Sequence, residues 1–328
     1  MLVTYLPAVV VSFILGSSFL FILKKLALKH RFLMPKQVPL VGGISVGLSL
    51  ILVYLSAGSL GNIVSKESLG LIVSLMIILV SGIVDDWREL SIKAKFIIQL
   101  VAASVLIISG VRTHIVYIGD FLNIIVTLIW VIGITNAFNF LDVVDGVAGS
   151  IALIVSVAFA IISFLSGNVN TFLLALALSG GLVSFLIYNL PPAKLYLGNS
   201  GSHFLGFLFA AVAIMISYAP LDRKIALLSP LLILGLPLFD AVFLIFTRIR
   251  KGKLPFKKSK DHIALRFLAL GYSVKKVLLL MVALGLFFSL NGLALSRVSN
   301  IIGLSIIMFV LLISFILTLA ISKIVVYD

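Results

Sequence analysis

Eleven long apolar segments occupy most of this chain of 328 residues. Each has about 17–25 residues, the length that an α-helix needs to cross a bilayer. A mean hydropathy of +1.30 and a charged fraction of 11% exclude an ordinary soluble domain. We therefore predict an all-α, polytopic membrane protein with about eleven transmembrane helices. The segments fall near residues 2–23, 40–60, 68–84, 93–110, 121–139, 146–166, 171–190, 202–219, 226–247, 274–293 and 300–324.

Polar sequence is confined to short loops, so residues 1–328 are predicted to form a single membrane-embedded domain. The longest polar stretch is a basic loop at 248–273. The chain has no cysteine, which excludes disulfides and thiolate catalysis. The net charge of +14 is typical of basic cytoplasmic loops, and no nucleic-acid-binding motif accompanies it. We therefore expect a membrane environment and no nucleic-acid partner.

The loop charges predict the orientation of the chain in the membrane. Lys and Arg concentrate in the loops after segments 1, 3, 5, 7 and 9 and in the C-terminal tail, and cytoplasmic loops carry such an excess. The N-terminus is therefore expected outside and the C-terminus in the cytoplasm. The opposite side has only Lys66, Arg112, Arg223, Lys224 and Arg297.

The few acidic residues are placed unusually. Only 11 residues are Asp or Glu, yet Asp85-Asp86 and the pair Asp142 and Asp145 fall at the ends of apolar segments on the basic side. Asp240 lies inside the ninth segment, near its cytoplasmic end. Carboxylates at a membrane boundary usually have a function, and paired carboxylates suit Mg²⁺ and phosphate chemistry. A transporter would more often bury such groups near the midplane, so the boundary position favours an enzyme.

Two sequence motifs contain these aspartate pairs. SGIVDDWRELS, residues 81–91, can present one carboxylate to a metal and another to a reacting group. Its alternative is a polar helix end at which Arg88 or Lys93 neutralises an aspartate. In TNAFNFLDVVDGVAGS, residues 135–150, spacing by three puts two asparagines and an aspartate on one helical face, where amides can read a base or a sugar. The alternative is an ordinary Asp-Gly turn. The substrate-binding candidates are Asn136, Asn139, Asp142, Asp145 and Gly146.

Two further motifs suit phosphate binding. In YLGNSGSHFLGF, residues 196–207, Ser200 and Gly201 form a turn before an apolar helix, where backbone N–H groups bind anions. The alternative is a simple loop with Ser202 as N-cap, and His203 can be a packing residue. In the basic loop, His262 and Arg266 are four residues apart, so a helix would put them on one face against a diphosphate. Membrane topology alone accounts for most of the lysines.

Taken together, these motifs resemble the polyprenyl-phosphate N-acetylhexosamine-1-phosphate transferase family. The resemblance runs from Pro39 to Gly271, with the motifs in family order. It implies transfer of a sugar 1-phosphate from a UDP-sugar to a polyprenyl phosphate, with release of UMP. Mg²⁺, or Mn²⁺ as an alternative, would bridge the diphosphate.

The resemblance also implies roles for the motif residues. The two carboxylates of the DD motif become candidates for lipid-phosphate activation and metal positioning, and the asparagines and aspartates of the second motif would line the nucleotide-sugar site. A histidine matches the first position of the family's His-x-His-His loop motif. The implied catalytic residues are Asp85, Asp86 and His262, and the implied metal ligands are Asp85, Asp86 and Asn199.

Three positions depart from the family pattern. The family usually has Asp at Asn199, where the carboxylate is a metal ligand, and an amide oxygen is a poorer one. Either this branch tolerates Asn, or activity is impaired, or the residue was introduced to trap a substrate. Ala264 and Leu265 replace later histidines of the loop motif, which argues against the peptidoglycan-precursor branch. Val143 replaces the usual glycine after Asp142.

The sequence therefore predicts an enzyme that moves GlcNAc-1-phosphate from UDP-GlcNAc to undecaprenyl phosphate on the cytoplasmic face of a bacterial inner membrane. This is the first membrane step of a cell-surface polysaccharide. One alternative is another UDP-HexNAc or UDP-MurNAc-pentapeptide as donor. Another is a catalytically impaired member that only binds nucleotide sugar or lipid phosphate. A homodimer is the candidate assembly.

Overall fold

The computed structural model describes residues 5–34, 37–60, 65–216, 223–252, 254, 259–324 and 326, without the side chains of 57–60. Part of the basic loop, including Lys257 and Lys258, lies outside these residues. The described residues form thirteen α-helices and one short 3₁₀ helix, Lys224–Leu228, with no strand among them. The helices are α1 Pro7–His30, α2 Gly42–Leu60, α3 Lys66–Trp87, α4 Ile92–Ile108, α5 Gly119–Leu141, α6 Val147–Leu165, α7 Val169–Asn189, α8 Gly198–Met215, α9 Ser229–Ile233, α10 Gly235–Arg250, α11 Ile263–Ala269, α12 Val274–Leu295 and α13 Asn300–Ser322.

The described helices confirm a polytopic, all-α architecture. Eight of them are long and apolar enough to span a membrane, and a ninth span results if α9 and α10, with the 3₁₀ helix before them, are counted as one. α2 offers only the shorter apolar stretch Gly42–Ser56, and α4 has 17 residues. At 1.5 Å per residue, α4 is about 26 Å long, slightly less than the apolar core of a bilayer. The count of eleven and the orientation therefore stay predictions.

Local sequence sets several helix boundaries. The side chains of Ser65, Ser91, Asn168 and Ser273 each accept a hydrogen bond from the backbone N–H three residues on, which satisfies an otherwise unpaired donor in the first turn. α1 extends to His30, so the basic residues at 24, 25 and 29 belong to the helix and not to the predicted loop. Outer helices such as α13 are apolar around most of their circumference, as lipid-facing helices are.

The ninth apolar segment does not form the continuous helix that its composition predicts. It bends by 72° between Ile233 and Gly235. Pro237 has no N–H to donate to the carbonyl of Ile233 four residues earlier, so the helical hydrogen bond is lost there. The Ser289 hydroxyl on α12 donates to this carbonyl instead, at 3.1 Å. The bend allows α10 to end among the polar residues described below.

α8 is the centre of the bundle and packs against α2, α3 and α5. Its first turn approaches its neighbours closely, because glycines remove the side chains that would intervene. A Cβ on Gly43 would collide with the backbone of Gly201, and a Cβ on Gly82 would collide with that of Ser200. α3 and α5 end where α8 begins, and we call this end of the bundle the polar end. The packing therefore holds together three helix ends that come from distant parts of the sequence.

Candidate active site

A cavity of about 620 Å³ opens at the polar end. It is bordered by the ends of α3, α5, α7 and α10 and by the beginnings of α8 and α11. Six of the residues predicted from sequence line this cavity, although they come from four separate motifs. They are Asp86, Asn139, Asp142, Asp145, Asn199 and His262.

Asp86 joins the end of α3 to the beginning of α8. Its two carboxylate oxygens accept hydrogen bonds from the backbone N–H groups of Asn199 at 2.7 Å and Ser200 at 3.0 Å. A carboxylate is stabilised at this end of a helix by the unpaired N–H groups and the helix dipole. Gly198 adopts a φ of +76°, and a Cβ there would lie 2.5 Å from Asp86 Oδ2. The glycine is therefore needed for the close approach of the carboxylate.

This contact changes the interpretation of the predicted anion-binding turn. The anion at the start of α8 is the Asp86 carboxylate, so the backbone N–H of Ser200 is not open to substrate phosphate. Gly201 serves close packing with Gly43, and neither it nor Ser200 lines the cavity. Ser202 does not cap the helix but accepts a hydrogen bond from Asn139.

Asp85 faces away from the cavity, as expected for a helical neighbour turned by about 100°. Its carboxylate pairs with Lys95 Nζ at 2.6 Å and accepts the backbone N–H of Leu90 at 2.7 Å. This is the neutralised helix end that we considered as an alternative, with Lys95 as the partner instead of Arg88 or Lys93. His203 borders the same small chamber as Asp85 and Lys95. Asp85 thus lies behind the cavity wall.

The asparagines of the second motif separate in the same way. Asn139 donates from Nδ2 to Asn199 Oδ1 at 3.0 Å and to Ser202 Oγ at 2.9 Å, which ties α5 to α8 beside the cavity. Asn136, one turn earlier, instead donates to Gln99 Oε1 at 2.8 Å. The spacing by three therefore does not place Asn136 in the cavity, because its side chain binds α4.

Asp142 and Asp145 follow the end of α5. Burial raises the pKa of Asp142 to about 7, and the negative charges of Asp86 and Asp145 contribute to the rise. Asp145 Oδ2 also accepts the backbone N–H of Ala193 at 3.0 Å. Gly146 adopts a φ of +78° in the turn and donates its N–H to the Asn189 side chain at 3.0 Å, but it does not line the cavity. The turn thus aims carboxylates, and not glycine backbone, at the cavity.

His262 enters the cavity from the start of α11. Its Nδ1 lies 3.2 Å from Asp240 Oδ2, and the other Asp240 oxygen accepts the N–H of Ile263 at 2.8 Å. Asp240 is 1% exposed. None of the four sequence motifs includes Asp240. A carboxylate inside an apolar segment nevertheless indicates a functional residue.

Arg248 is a cavity residue that the motifs did not identify. It lies near the end of α10, where its Nε donates to Ser259 Oγ at 3.0 Å and its guanidinium lies 5.6 Å from the centre of the Phe140 ring. In the sequence it is one of many basic residues of the loop, and nothing there distinguishes it. The fold places this guanidinium in the wall of the same cavity as the carboxylates, and a guanidinium is suited to binding a phosphate.

Arg266 does not reach the cavity, contrary to the shared-face prediction. It pairs with Asp261 Oδ1 at 2.8 Å and donates to the carbonyl oxygens of Ile321 and Ile324 at the end of α13. Burial would raise the pKa of Asp261, but Lys251 at 2.7 Å and Arg266 outweigh it and hold this pKa below its usual range. Arg266 thus fastens the loop to the C-terminal helix.

The donor set of the cavity fits a hard divalent cation. Three carboxylates and the amide oxygen of Asn199 are ligands of the kind that Mg²⁺ prefers. Among the described side chains, no group of three or more His, Asp or Glu forms a cage that could hold a metal ion. Mg²⁺ usually needs no such cage, because one or two carboxylates bind it together with water and substrate phosphates.

Comparison with known proteins is consistent with this geometry. The model of glycosyl transferase family 4 matches residues 68–217, which contain Asp86, the asparagine motif and the start of α8. A probable undecaprenyl-phosphate N-acetylglucosaminyl 1-phosphate transferase of Bacillus subtilis (strain 168) is 29% identical over 310 residues, covering 89% of this chain and 85% of the relative. A decaprenyl-phosphate N-acetylglucosaminephosphotransferase of Mycobacterium leprae (strain TN) is 30% identical over 276 residues, covering 74% and 69%.

A third relative is an undecaprenyl-phosphate alpha-N-acetylglucosaminyl 1-phosphate transferase of Thermotoga maritima, 28% identical over 266 residues, covering 79% of this chain and 77% of the relative. All three printed names describe transfer to a polyprenyl phosphate. The family match and the extent of these similarities agree with each other. The chain belongs to glycosyl transferase family 4, the family of the polyprenyl-phosphate N-acetylhexosamine-1-phosphate transferases.

Proposed function

We propose that this protein transfers GlcNAc-1-phosphate from UDP-GlcNAc to undecaprenyl phosphate, giving undecaprenyl-diphospho-GlcNAc and UMP. The observation that carries the proposal is the cavity at the polar end. It brings together three carboxylates, three amides, a guanidinium and a histidine. Its volume of about 620 Å³ is within the usual range for small-molecule sites. The names of the relatives supply the identity of donor and acceptor.

The reaction is a displacement at phosphorus. A phosphate oxygen of the lipid attacks the sugar-bearing β-phosphorus of UDP-GlcNAc. The bond from that phosphorus to the bridging oxygen breaks, and the oxygen leaves with UMP. Little covalent chemistry is required of the protein, so positioning and charge stabilisation dominate. Arg248, Asn139 and Asp145 all line the cavity. Arg248 would bind diphosphate oxygens, while Asn139 and Asp145 would bind polar groups of the donor.

We further propose that the reaction depends on Mg²⁺ bound with the diphosphate. Asp86, Asp142 and Asn199 would hold the ion, which would offset the negative charge that develops on the phosphates. Asp142 in particular would be ionised in the metal-bound enzyme, since a bound cation would favour the carboxylate and offset the burial and the charge repulsion that raise its pKa. Asp85 is better assigned to supporting α3 than to metal binding, because Lys95 already neutralises it.

We place the cavity on the cytoplasmic face of the bacterial inner membrane. The polar end carries the basic ends of α1 and α10, Lys95 in the first turn of α4 and the loop with Lys194, in agreement with the positive-inside rule. UDP-sugars are water-soluble, so a donor site at this boundary would draw on the cytosol while the acceptor stays in the lipid.

An alternative donor such as another UDP-HexNAc or UDP-MurNAc-pentapeptide would use the same chemistry. The described loop offers His262 to the cavity, while Ala264 is buried and Leu265 lines the wall. A histidine-poor loop favours the GlcNAc donor over the pentapeptide donor within this resemblance.

The test is product analysis with purified protein in detergent, UDP-GlcNAc, undecaprenyl phosphate and Mg²⁺. We expect UMP, and not UDP, only when both substrates and the metal are present. Release of UDP would indicate transfer of the sugar alone and would contradict the proposal. Substitution of UDP-GalNAc and UDP-MurNAc-pentapeptide in the same assay would identify the preferred donor. Binding of UDP-GlcNAc without release of UMP would favour the second candidate function, a catalytically impaired family member. Asn199 in place of the usual aspartate is the reason for considering it.

A further inference from the structure

We propose that Asp240 is a positioning residue that orients His262 toward the substrates. The two side chains meet inside the protein, with His262 Nδ1 3.2 Å from Asp240 Oδ2. Their exposed fractions are 6% for His262 and 1% for Asp240. The proposal rests on the transferase function argued above, and it adds a residue that lies in none of the sequence motifs.

The geometry selects one tautomer of the imidazole. A carboxylate oxygen accepts hydrogen bonds, so the ring nitrogen facing Asp240 must carry a proton. Nδ1–H then donates to Asp240, and the lone pair of Nε2 faces the cavity that His262 lines. In this state, Nε2 can accept a hydrogen bond or a proton from a substrate group. With the other tautomer, the cavity would face an N–H donor and the buried Asp240 oxygen would meet an unprotonated nitrogen.

Asp240 is also fixed on its other side. Its second oxygen accepts the N–H of Ile263 at 2.8 Å, in the first turn of α11. One carboxylate therefore holds both the ring of His262 and the backbone next to it. An asparagine at 240 could accept only one of these two hydrogen bonds, because its NH₂ group would face the other donor.

The bend of the ninth apolar segment brings the Asp240 carboxylate next to His262. The break after Ile233 directs α10 toward the polar end, so Asp240 reaches the loop that follows α10 from inside the bundle. The Phe140 ring packs against the His262 ring in an edge-to-face arrangement, with the ring centres 6.4 Å apart. The imidazole is thus held by a carboxylate on one side and an aromatic ring on another.

The first test is spectroscopic and needs no turnover. The chain has only four histidines, so ¹⁵N-imidazole labelling and a His262→Gln variant identify the His262 signals. We expect His262 to be protonated at Nδ1 in the wild-type protein and to lose this preference in Asp240→Asn. An Nε2-protonated His262 in the wild type would overturn the proposal even if Asp240→Asn fails to fold.

The second test is a double-mutant cycle on UMP release. We expect Asp240→Asn to lower kcat by about tenfold to a hundredfold with the KM for UDP-GlcNAc changed less than about twofold. If Asp240 acts through His262, adding Asp240→Asn to His262→Gln should slow the enzyme no further. Multiplied losses in the double variant would show an independent structural role and would overturn the proposal.

Trp130→Phe is the matched control. It removes a partly buried hydrogen bond between α5 and α8, from the indole to the Ala210 carbonyl, away from the cavity. Its effect on kcat should be the same with and without His262.

The two tests also separate this proposal from the proposed transferase function. A correct tautomer in a protein that releases no UMP would count against the transferase activity and leave the Asp240–His262 geometry supported.

Discussion

Adjacent aspartates on one helix have different environments in this protein. Asp86 lines the cavity and caps α8, whereas Asp85 is buried against Lys95. A sequence shows such a pair as two equivalent carboxylates. The helical turn separates them, because neighbouring side chains point about 100° apart. The same substitution, Asp to Asn, should therefore have a different effect on activity and stability at each position.

We expect Asp86→Asn to abolish UMP release, because the negative charge is lost. Its amide oxygen can keep only one of the two hydrogen bonds from the start of α8, so we also expect a loss of stability of about 1 kcal/mol. Asp85→Asn should also reduce activity, but through structure. It leaves Lys95 without its ion pair and should cost about 1–3 kcal/mol, since Lys95 is partly exposed. Thermal midpoints in detergent and UMP release, measured on both variants, check this. Near-normal turnover of Asp86→Asn would remove it from the site.

Asn199 provides the second prediction at this scale. Asn199→Asp would add a carboxylate beside Asp86 and Asp142, and Asn139 could still donate to it. We expect activity to be retained or raised. The Mg²⁺ concentration for half-maximal rate should fall about tenfold, which corresponds to about 1.4 kcal/mol. A Mg²⁺ titration of both proteins measures this. A large drop in turnover would mean that the amide is required here.

At the scale of elements, the polar end depends on how α8 begins. Gly198 has a left-handed backbone and touches Asp86. Gly198→Ala would push the carboxylate away, so we expect at least a tenfold loss of kcat in addition to a conformational cost of about 1 kcal/mol. Gly119→Ala is the control, because Gly119 has a similar φ of +71° with nothing within 4 Å of its missing Cβ.

Both variants should lose stability in thermal unfolding, but only Gly198→Ala should lose activity. An equal loss of activity in the two would show that backbone strain, and not contact with Asp86, determines the effect. The same comparison tests whether the first turn of α8 is a rigid part of the site.

Sequence patterns predicted the elements better than the side-chain directions. The fifth apolar segment, expected at 121–139, is the helix Gly119–Leu141. The prediction of one continuous helix for the ninth apolar segment was wrong. The apolar composition is the same with or without the bend, which coincides with the missing N–H of Pro237. Spacing by three also placed Asn136 with Asn139, but Gln99 on α4 binds Asn136. Such partners come from distant sequence, so no local pattern contains them.

For the whole molecule, the motifs identified the cavity because four of them meet at one end of the bundle. They missed Arg248 and Asp240, whose importance comes only from the fold. Arg266 was placed in the site by spacing, yet it binds the end of α13. Charged residues in a basic loop look alike in sequence, and only burial and partners separate the binding residues from the structural ones.

The orientation gives a prediction at this scale. The chain has no cysteine, so a single introduced cysteine reports its own side of the membrane. Arg297→Cys and Lys323→Cys lie on either side of α13, and both positions are exposed. In intact cells we expect a membrane-impermeant maleimide to label Arg297→Cys only, with Lys323→Cys labelled after permeabilisation. The reverse pattern would place the cavity outside.

The most direct measurement follows the β-phosphorus of the donor. UDP-GlcNAc labelled at the β-phosphate, incubated with the protein, undecaprenyl phosphate and Mg²⁺, should transfer its label to the lipid fraction while the released nucleotide is unlabelled UMP. This result requires attack on the sugar-bearing phosphorus, as the proposed function states. Label that stays in released UDP while the sugar reaches the lipid would contradict it.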